Sequence, residues 1–271
     1  MNDKSDLIGI YRRALFEGIS EDDVSKISLH GKCNIIYGLV GALRDKIPQR
    51  ELGNGRVARE SLVTIVNSFA PSEELIDFQD KKRQTLIRNF AEDDNGQLMV
   101  AISSWDDLDR GEKEGVLIHS ASLHQKIYLT GVADRIPVNW IFSNSQQQGA
   151  RHNVKIIGGF SGDISNEYGS IRIDIESIHD VGEVLNSTHH ETTHAIQFAL
   201  ASSFHRNRIN PAHILFDDAR MFHAIEVNKA FISCMVLKDS EQEAYQQQVH
   251  EVLADSEGES ISSALIELAN S

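Results

Sequence analysis

Two histidines and a glutamate form the pattern in this chain with the clearest chemical meaning. His190, Glu191 and His194 have the spacing H-E-x-x-H within the stretch THHETTHAIQFAL. Residues four apart lie on one face of an α-helix, so both imidazoles can bind one small ion. A catalytic zinc takes three protein ligands and a water molecule, which a nearby carboxylate can deprotonate. The pattern therefore predicts one zinc ion on His190 and His194, with Glu191 as the general base.

A structural interpretation of the same residues competes with the metal. Thr188 and Glu191 also have the spacing of a capping box, in which Glu191 would only accept a backbone N–H. The chain has 12 histidines in 271 residues, but a chance pair with glutamate in the right place arises in about one such chain in twenty. Asn186, Ser187 and Thr188 are candidate N-caps, which predicts a helix from there to about Ser203.

The third metal ligand is sought in the next apolar segment, residues 213–237. This segment reads as a long, mostly buried helix with Glu226 in the middle of its apolar run. A buried carboxylate needs a partner, and a metal ion would supply one. Glu226 is therefore the favoured ligand, although a salt bridge to Arg or Lys would also satisfy it. The alternatives that stay open are His223, Asp217, Asp218 and His213.

These residues together resemble a known family. The H-E-x-x-H motif with a later glutamate is similar to the zincin metallopeptidases of the gluzincin type. It also resembles bacterial metallopeptidases with an H-E-x-x-H-A-x-Q core and a downstream E-x-x-x-A helix, over about residues 154–237. The resemblance implies a small twisted sheet packed on the motif helix, and zinc on His190, His194 and Glu226. Manganese, cobalt or nickel would also suit these ligands.

Two parts of the family pattern are not matched. Thermolysin-type gluzincins carry an aspartate four residues after the ligand glutamate, where this chain has Ala230. The residue that would stabilise the oxyanion has two candidates, His223 and Tyr168. An edge strand that could pair with an extended peptide substrate also has two candidates, Val154–Ile157 and Ile171–Ile175.

The elements that must position these residues differ between the two halves of the chain. Helical periodicity or start signals mark residues 5–17, 33–43, 57–69, 71–90, 105–129 and the polar tail 239–271, and Leu98–Ile102 reads as a strand. After Pro137 the strand candidates are Val138–Phe142, Val154–Ile157 and Ile171–Ile175. We therefore predict an α+β fold with a helical region, 1–136, for substrate recognition or cover, and a catalytic region, 137–271. The two can also form one compact domain.

Composition limits the partners and the compartment. The formal charge is −14 and the pI about 5.3, which argues against binding to nucleic acid or to anionic membranes. There is no secretory pattern and no apolar run that could span a bilayer, so we expect a cytoplasmic protein; export without a signal stays open. Cys33 and Cys234 are predicted to be buried thiols, with a single disulfide as the alternative.

The sequence thus predicts a zinc metallopeptidase acting on a protein or peptide substrate. Two other functions remain: a zincin-fold binding or effector module without general protease activity, and a zinc hydrolase of a small amide or ester.

Overall fold

Helices make up most of the chain, as the sequence predicts for its first half. A computed structural model describes residues 4–44, 55–92, 96–143, 158–174, 180–232 and 248–271. The N-terminal helices are α1 (Lys4–Phe16), α2 (Glu21–Ser25), α3 (Leu29–Arg44), α4 (Arg56–Asn67), α5 (Glu73–Glu92), α6 (Gln97–Ser103) and α7 (Arg110–Leu129). Helix α7 begins with a capping box, in which Asp109 and Glu112 each accept the backbone N–H of the other.

The strand predicted at Leu98–Ile102 is wrong, because these residues lie in α6. Gly96 precedes that helix with a φ of 82°, a left-handed conformation that glycine adopts without strain. Leu98 and Ile102 are four apart and buried, whereas Val100 between them is 66% exposed. A five-residue apolar run does not by itself distinguish a strand from a helix, and here the helical period decided the structure.

Three strands form one mixed sheet. They are β1 (Val138–Ser143), β2 (Gly158–Asp163) and β3 (Tyr168–Asp174), in the order β1-β3-β2, with β1 parallel and β2 antiparallel to β3. The predicted strand Val138–Phe142 is confirmed, and so is the predicted strand beginning at Ile171 up to Asp174. Ile175 and the candidate strand Val154–Ile157 lie outside the described residues.

The central strand of the sheet is β3, which excludes Ile171–Asp174, the described part of one of the two edge candidates, as an edge. Among the described strands, β1 and β2 are the edges. The alternation in β3 that predicted a half-buried strand places Ile171 and Ile173 in the core and Arg172 in solvent. Strand β2 was not predicted, because its sequence GGFSGD has none of the β-branched residues that mark strands.

The sheet packs on the motif helix, α8 (Val181–His205). Phe198 of α8 is fully buried and its ring meets Phe160 of β2 edge to face, with centroids 5.5 Å apart. A Cβ on Gly162 would lie 2.5 Å from the Phe198 ring, so this glycine allows strand and helix to come together. A mostly helical chain with a small mixed sheet packed on α8 confirms the predicted α+β fold.

Two further helices complete the described chain, which divides into two compact units. The helices are α9 (Phe216–Ile232) and α10 (Val249–Ala269). One unit comprises Met1–Ser72 and Asn210–Val252, and the other comprises Glu73–Ile209 and Leu253–Ser271. Both units are discontinuous in sequence, so their boundaries differ from the predicted division at residue 136.

Within the first unit, α9 packs on α3. Cys33 of α3 is a free, buried thiol, as predicted, and Cys234 lies outside the described residues. Burial raises the pKa of the Cys33 thiol to about 12, which leaves it unreactive at neutral pH. Among the helices that the structure describes, none is both long and apolar enough to cross a bilayer.

Candidate metal centre

Helix α8 begins earlier than its candidate caps suggest. Asp180 is the N-cap, and its Oδ1 accepts the Gly182 N–H at 2.7 Å. The predicted start at Asn186, Ser187 or Thr188 is therefore wrong, because an aspartate further upstream caps the helix and Val184 and Leu185 extend its buried face.

This earlier start removes the capping-box interpretation of Glu191. Glu191 lies in the middle of a 25-residue helix, where the backbone N–H groups already have helical partners. Thr188 does not act as a cap either, since its Oγ1 is buried and has no hydrogen-bond partner among the described residues. Of the two interpretations that the sequence offered, the capping box does not fit the structure, whereas the metal interpretation is compatible with it.

The two motif histidines face each other on one side of α8. Their Nε2 atoms are 3.0 Å apart and their rings are nearly perpendicular, at 80°. Glu191 belongs to the same group, since one ligand atom from each of the three residues lies within 4.8 Å of the others. His190, Glu191 and His194 are thus the predicted site residues that the structure brings together, and they form a group that can hold a metal ion.

The opposite ring nitrogens are held by oxygen atoms. His190 Nδ1 lies 2.9 Å from Oδ1 of Asp255, and His194 Nδ1 lies 3.0 Å from Oε1 of Gln197. A carboxylate accepts only, and an imidazole that donates its Nδ1–H keeps a lone pair on Nε2. In the Nδ1–H tautomers that match these contacts, the two Nε2 lone pairs face each other across 3.0 Å, and a cation bound by both would stabilise this arrangement.

The spacing of the two Nε2 atoms fits a tetrahedral metal ion. Two zinc–nitrogen bonds of about 2.0–2.1 Å at a tetrahedral angle place the nitrogen atoms about 3.3 Å apart. The observed 3.0 Å therefore needs to open by only a few tenths of an ångström. Ligating histidines also characteristically donate their other ring N–H to a carboxylate or carbonyl oxygen, as both of these rings are placed to do.

The Glu191 side chain lies against the first residue of β2. A Cβ on Gly158 would be 2.9 Å from Glu191 Cγ and 3.0 Å from its Oε1. Glu191 itself is 7% exposed, so its carboxylate sits between α8 and an edge strand. This contact between Gly158 and Glu191 could not be predicted from the sequence, because it depends on how β2 packs on α8.

Tyr168 lies at the other end of the sheet from Glu191. Gly158 pairs with Ile173, whereas Tyr168 pairs with Asp163, five residues further along β2. At about 3.3 Å per residue this separation is about 16 Å. The structure therefore does not bring Tyr168 to Glu191.

Glu226 and His223 lie on α9, in the other compact unit. Glu226 is partly exposed, so the premise that it is fully buried is not met. His223 is buried, with its Nδ1 2.8 Å from the Tyr37 hydroxyl. The role of Glu226 as third ligand and the role of His223 at the oxyanion stay predictions.

The acidic alternatives at the start of α9 have structural partners. Asp218 accepts hydrogen bonds from the backbone N–H and the hydroxyl of Ser72, at 3.3 and 2.8 Å. Asp217 pairs with Arg220 at 3.3 Å. Both lie in the first turn of α9, where the helix dipole favours acids. His213 precedes the helix.

His189, the residue before the motif, belongs to a different cluster. It lies fully buried in the core, with its Nδ1 3.3 Å from Nδ1 of His124. Burial lowers the pKa of His189 to about 3, and the pKa of His124 is also well below its usual range. No single feature of the sequence marked this pair, since α7 supplies one member and α8 the other.

Comparison with known proteins gives no relative from which a role could be transferred. No protein-family model, curated protein or solved structure matches this chain. The function must therefore be argued from the geometry of the site.

Proposed function

We propose that the protein is a zinc-dependent metallopeptidase that hydrolyses peptide bonds in a protein or peptide substrate. The observation that supports this most directly is the pair of facing Nε2 atoms of His190 and His194, 3.0 Å apart, with Glu191 in the same group. The resemblance of the motif to gluzincins points to the same reaction class.

His190 and His194 would hold the zinc ion through Nε2, and Glu226 is proposed as the third ligand. When bound, zinc lowers the pKa of a coordinated water molecule and polarises a substrate carbonyl. Imidazole nitrogens and one carboxylate are a common ligand set for a catalytic zinc site that keeps one position open.

Glu191 would act as the general base. Its carboxylate accepts a proton from the attacking water as the new C–O bond forms at the carbonyl carbon. The same carboxyl group then donates that proton to the amide nitrogen as the C–N bond breaks, so the products are an amine and a carboxylic acid, which ionises at neutral pH. General acid–base catalysis of this kind contributes about 10²–10⁴-fold to the rate.

Strand β2 is the element suited to orient the substrate. It is an edge among the described strands, and its first residue, Gly158, lies against the Glu191 side chain. An extended peptide can add to such an edge through main-chain hydrogen bonds. That pairing would place a scissile carbonyl near Glu191, and fixed placement of this kind lowers the barrier.

The test combines metal content with turnover of a peptide library. Purified protein supplied with zinc should hold one zinc per chain and cleave at least one peptide. Glu191→Gln should keep the zinc and lose about 10²–10⁴-fold in kcat/KM, because only the base is removed. The matched control is Glu183→Gln, an exposed change on the same helix. This variant should keep both the bound zinc and the wild-type turnover.

Three results would each contradict a different part of the proposal. Wild-type protein that holds no zinc after supply would overturn the metal site. Peptide cleavage by Glu191→Gln at the wild-type rate would overturn the role of Glu191 as general base. Loss of zinc in His194→Ala but not in Glu226→Ala would keep the histidine site and reject Glu226 as a ligand.

A further inference from the structure

Asp255 of α10 is a charged side chain that contacts a motif histidine. Its Oδ1 lies 2.9 Å from Nδ1 of His190. The carboxylate is 66% exposed, whereas the imidazole that it contacts is 19% exposed. Nothing in the sequence linked Asp255 to the motif, since 65 residues separate it from His190.

Helix α10 comes into close contact with α8 at this point, because residue 258 is glycine. A Cβ there would be 2.5 Å from Oδ1 of Asn186, 2.8 Å from its backbone oxygen and 3.2 Å from Cβ of His190. A backbone oxygen inside a helix cannot move aside as a flexible side chain can. Glycine is a poor helix former, so its presence in the middle of α10 is accounted for by this contact.

A buried polar cluster fixes the position of α10 along its axis. Glu257, between Asp255 and Gly258, is 2% exposed. Its carboxylate accepts the Tyr128 hydroxyl of α7 at 2.7 Å and pairs with Arg83 of α5 at 3.1 Å. Removing either partner would leave a buried charge poorly compensated, so α10 is held in the register that places Asp255 beside His190.

The location of Asp255 on the His190 ring shows how it can act. Nδ1 and Nε2 lie on different sides of an imidazole, and the Nε2 side faces His194. Asp255 is therefore placed to act through the ring instead of as a metal ligand. A carboxylate on the far nitrogen fixes the tautomer and orientation of a ligating histidine and increases its basicity.

We propose that Asp255 is a positioning residue of the metal centre, brought into place by the close contact of Gly258 with α8. It holds His190 as the Nδ1–H tautomer and directs the Nε2 lone pair toward His194. This inference rests on the proposed zinc site. In the family pattern, an aspartate stands four residues after the ligand glutamate, and this chain has Ala230 there. The proposal assigns a supporting carboxylate to Asp255 of α10 instead.

The test is zinc affinity of the full chain, measured by competition with a chromophoric chelator. Asp255→Ala should bind zinc about 10–100-fold more weakly, the usual effect of removing such a partner. Asp255→Asn should fall between wild type and Asp255→Ala, because its amide oxygen still accepts the Nδ1–H but carries no charge. Glu259→Gln, an exposed change of the same charge on the same helix, should bind like wild type.

Cobalt(II) supplies a spectroscopic readout that a purely structural role would not change. Its visible absorption reports the ligand field, so Asp255→Ala should shift the spectrum while Glu259→Gln should not. Gly258→Ala should weaken zinc binding as Asp255→Ala does, and the double variant should show no further loss, because both changes break one contact. If the Gly258→Ala protein does not fold, the zinc affinities of Asp255→Ala and Asp255→Asn still test the proposal.

The outcomes separate this inference from the proposed function. Wild-type protein that binds no zinc overturns both. Wild-type protein that binds zinc, with Asp255→Ala folded and binding within twofold, overturns only the role of Asp255; this result would identify the contact as a surface ion pair of the kind that often contributes little.

Discussion

At the scale of single residues, the two motif histidines differ in what holds their Nδ1 atoms. Gln197, which orients His194, belongs to the same helix and lies three residues further on, so helical geometry alone brings the two together. Asp255, which orients His190, comes from another helix and depends on tertiary packing. One proposed metal ligand is thus supported locally and the other by the fold.

The position of the Glu191 carboxylate depends on the missing side chain at Gly158. An added Cβ would lie 2.9 Å from Glu191 Cγ and 3.0 Å from Oε1, so Gly158→Ala should displace the carboxylate while the histidines stay in place. We expect zinc content to remain at one per chain and kcat/KM to fall about 10²-fold, the scale of a 1 Å misplacement.

Gly159→Ala is the matched control for this prediction. A Cβ at Gly159 would meet no atom within 4 Å, so that variant should keep wild-type zinc content and turnover. Equal activity in the two alanine variants would show that contact with Gly158 does not position Glu191.

At the scale of elements, α8 is a single helix whose start lies well before the motif. Its N-cap is Asp180, whose side chain accepts the Gly182 N–H at 2.7 Å. Asp180→Ala should lower the free energy of unfolding by about 1 kcal/mol, the usual value of such a cap. Urea unfolding monitored by circular dichroism measures the change.

Ser187 supplies the contrasting variant on the same helix. It lies inside α8, where alanine is the better helix former, so Ser187→Ala should leave stability unchanged or slightly raised. A larger loss in Ser187→Ala than in Asp180→Ala would mean that the helix begins where the sequence alone suggested.

Local sequence patterns predicted most helices and strands, but they did not predict most of the contacts between those elements. The H-E-x-x-H spacing sufficed to place His190 and His194 on one helical face, and alternation in β3 sufficed to bury Ile171 and Ile173. In both cases the period of one element determines the result. The pairing of His189 with His124 could not be predicted, because it depends on how α7 and α8 cross.

Glycines account for most of what the sequence concealed at the site. A glycine at residue 158, 162 or 258 appears in sequence as a turn signal or a helix weakness. In the structure each one marks a close approach, of β2 to Glu191, of β2 to Phe198 and of α10 to Asn186. A glycine in the sequence does not indicate which residue will pack against it, so the neighbour of each glycine could be identified only from the fold.

At the scale of the whole molecule, the buried His124–His189 pair should make stability depend on pH. Burial lowers the pKa of His189 to about 3 and the pKa of His124 well below its usual range, whereas the unfolded chain restores values near 6.5. The unfolded state therefore binds protons that the folded state does not. The stabilisation is fully present above about pH 6.5 and is lost as the pH falls toward the folded pKa values.

The expected change can be measured by urea unfolding at pH 7 and pH 5, with a chelator present so that metal release does not contribute. His189 alone should reduce the free energy of unfolding by about 2 kcal/mol over this interval. The double variant His124→Leu/His189→Leu should lose correspondingly less than wild type. An identical loss in both proteins would show that the pair does not titrate on unfolding.

The interleaving of the two compact units has a consequence for biosynthesis. The unit that carries the motif needs residues 253–271 as well as 73–209, and Asn210–Val252 must be made in between. At about 5–20 residues per second, a ribosome takes about 2–9 s to add that intervening segment. During this interval α8 is already synthesised but Asp255 is not, so a nascent chain would capture zinc less tightly than the finished one.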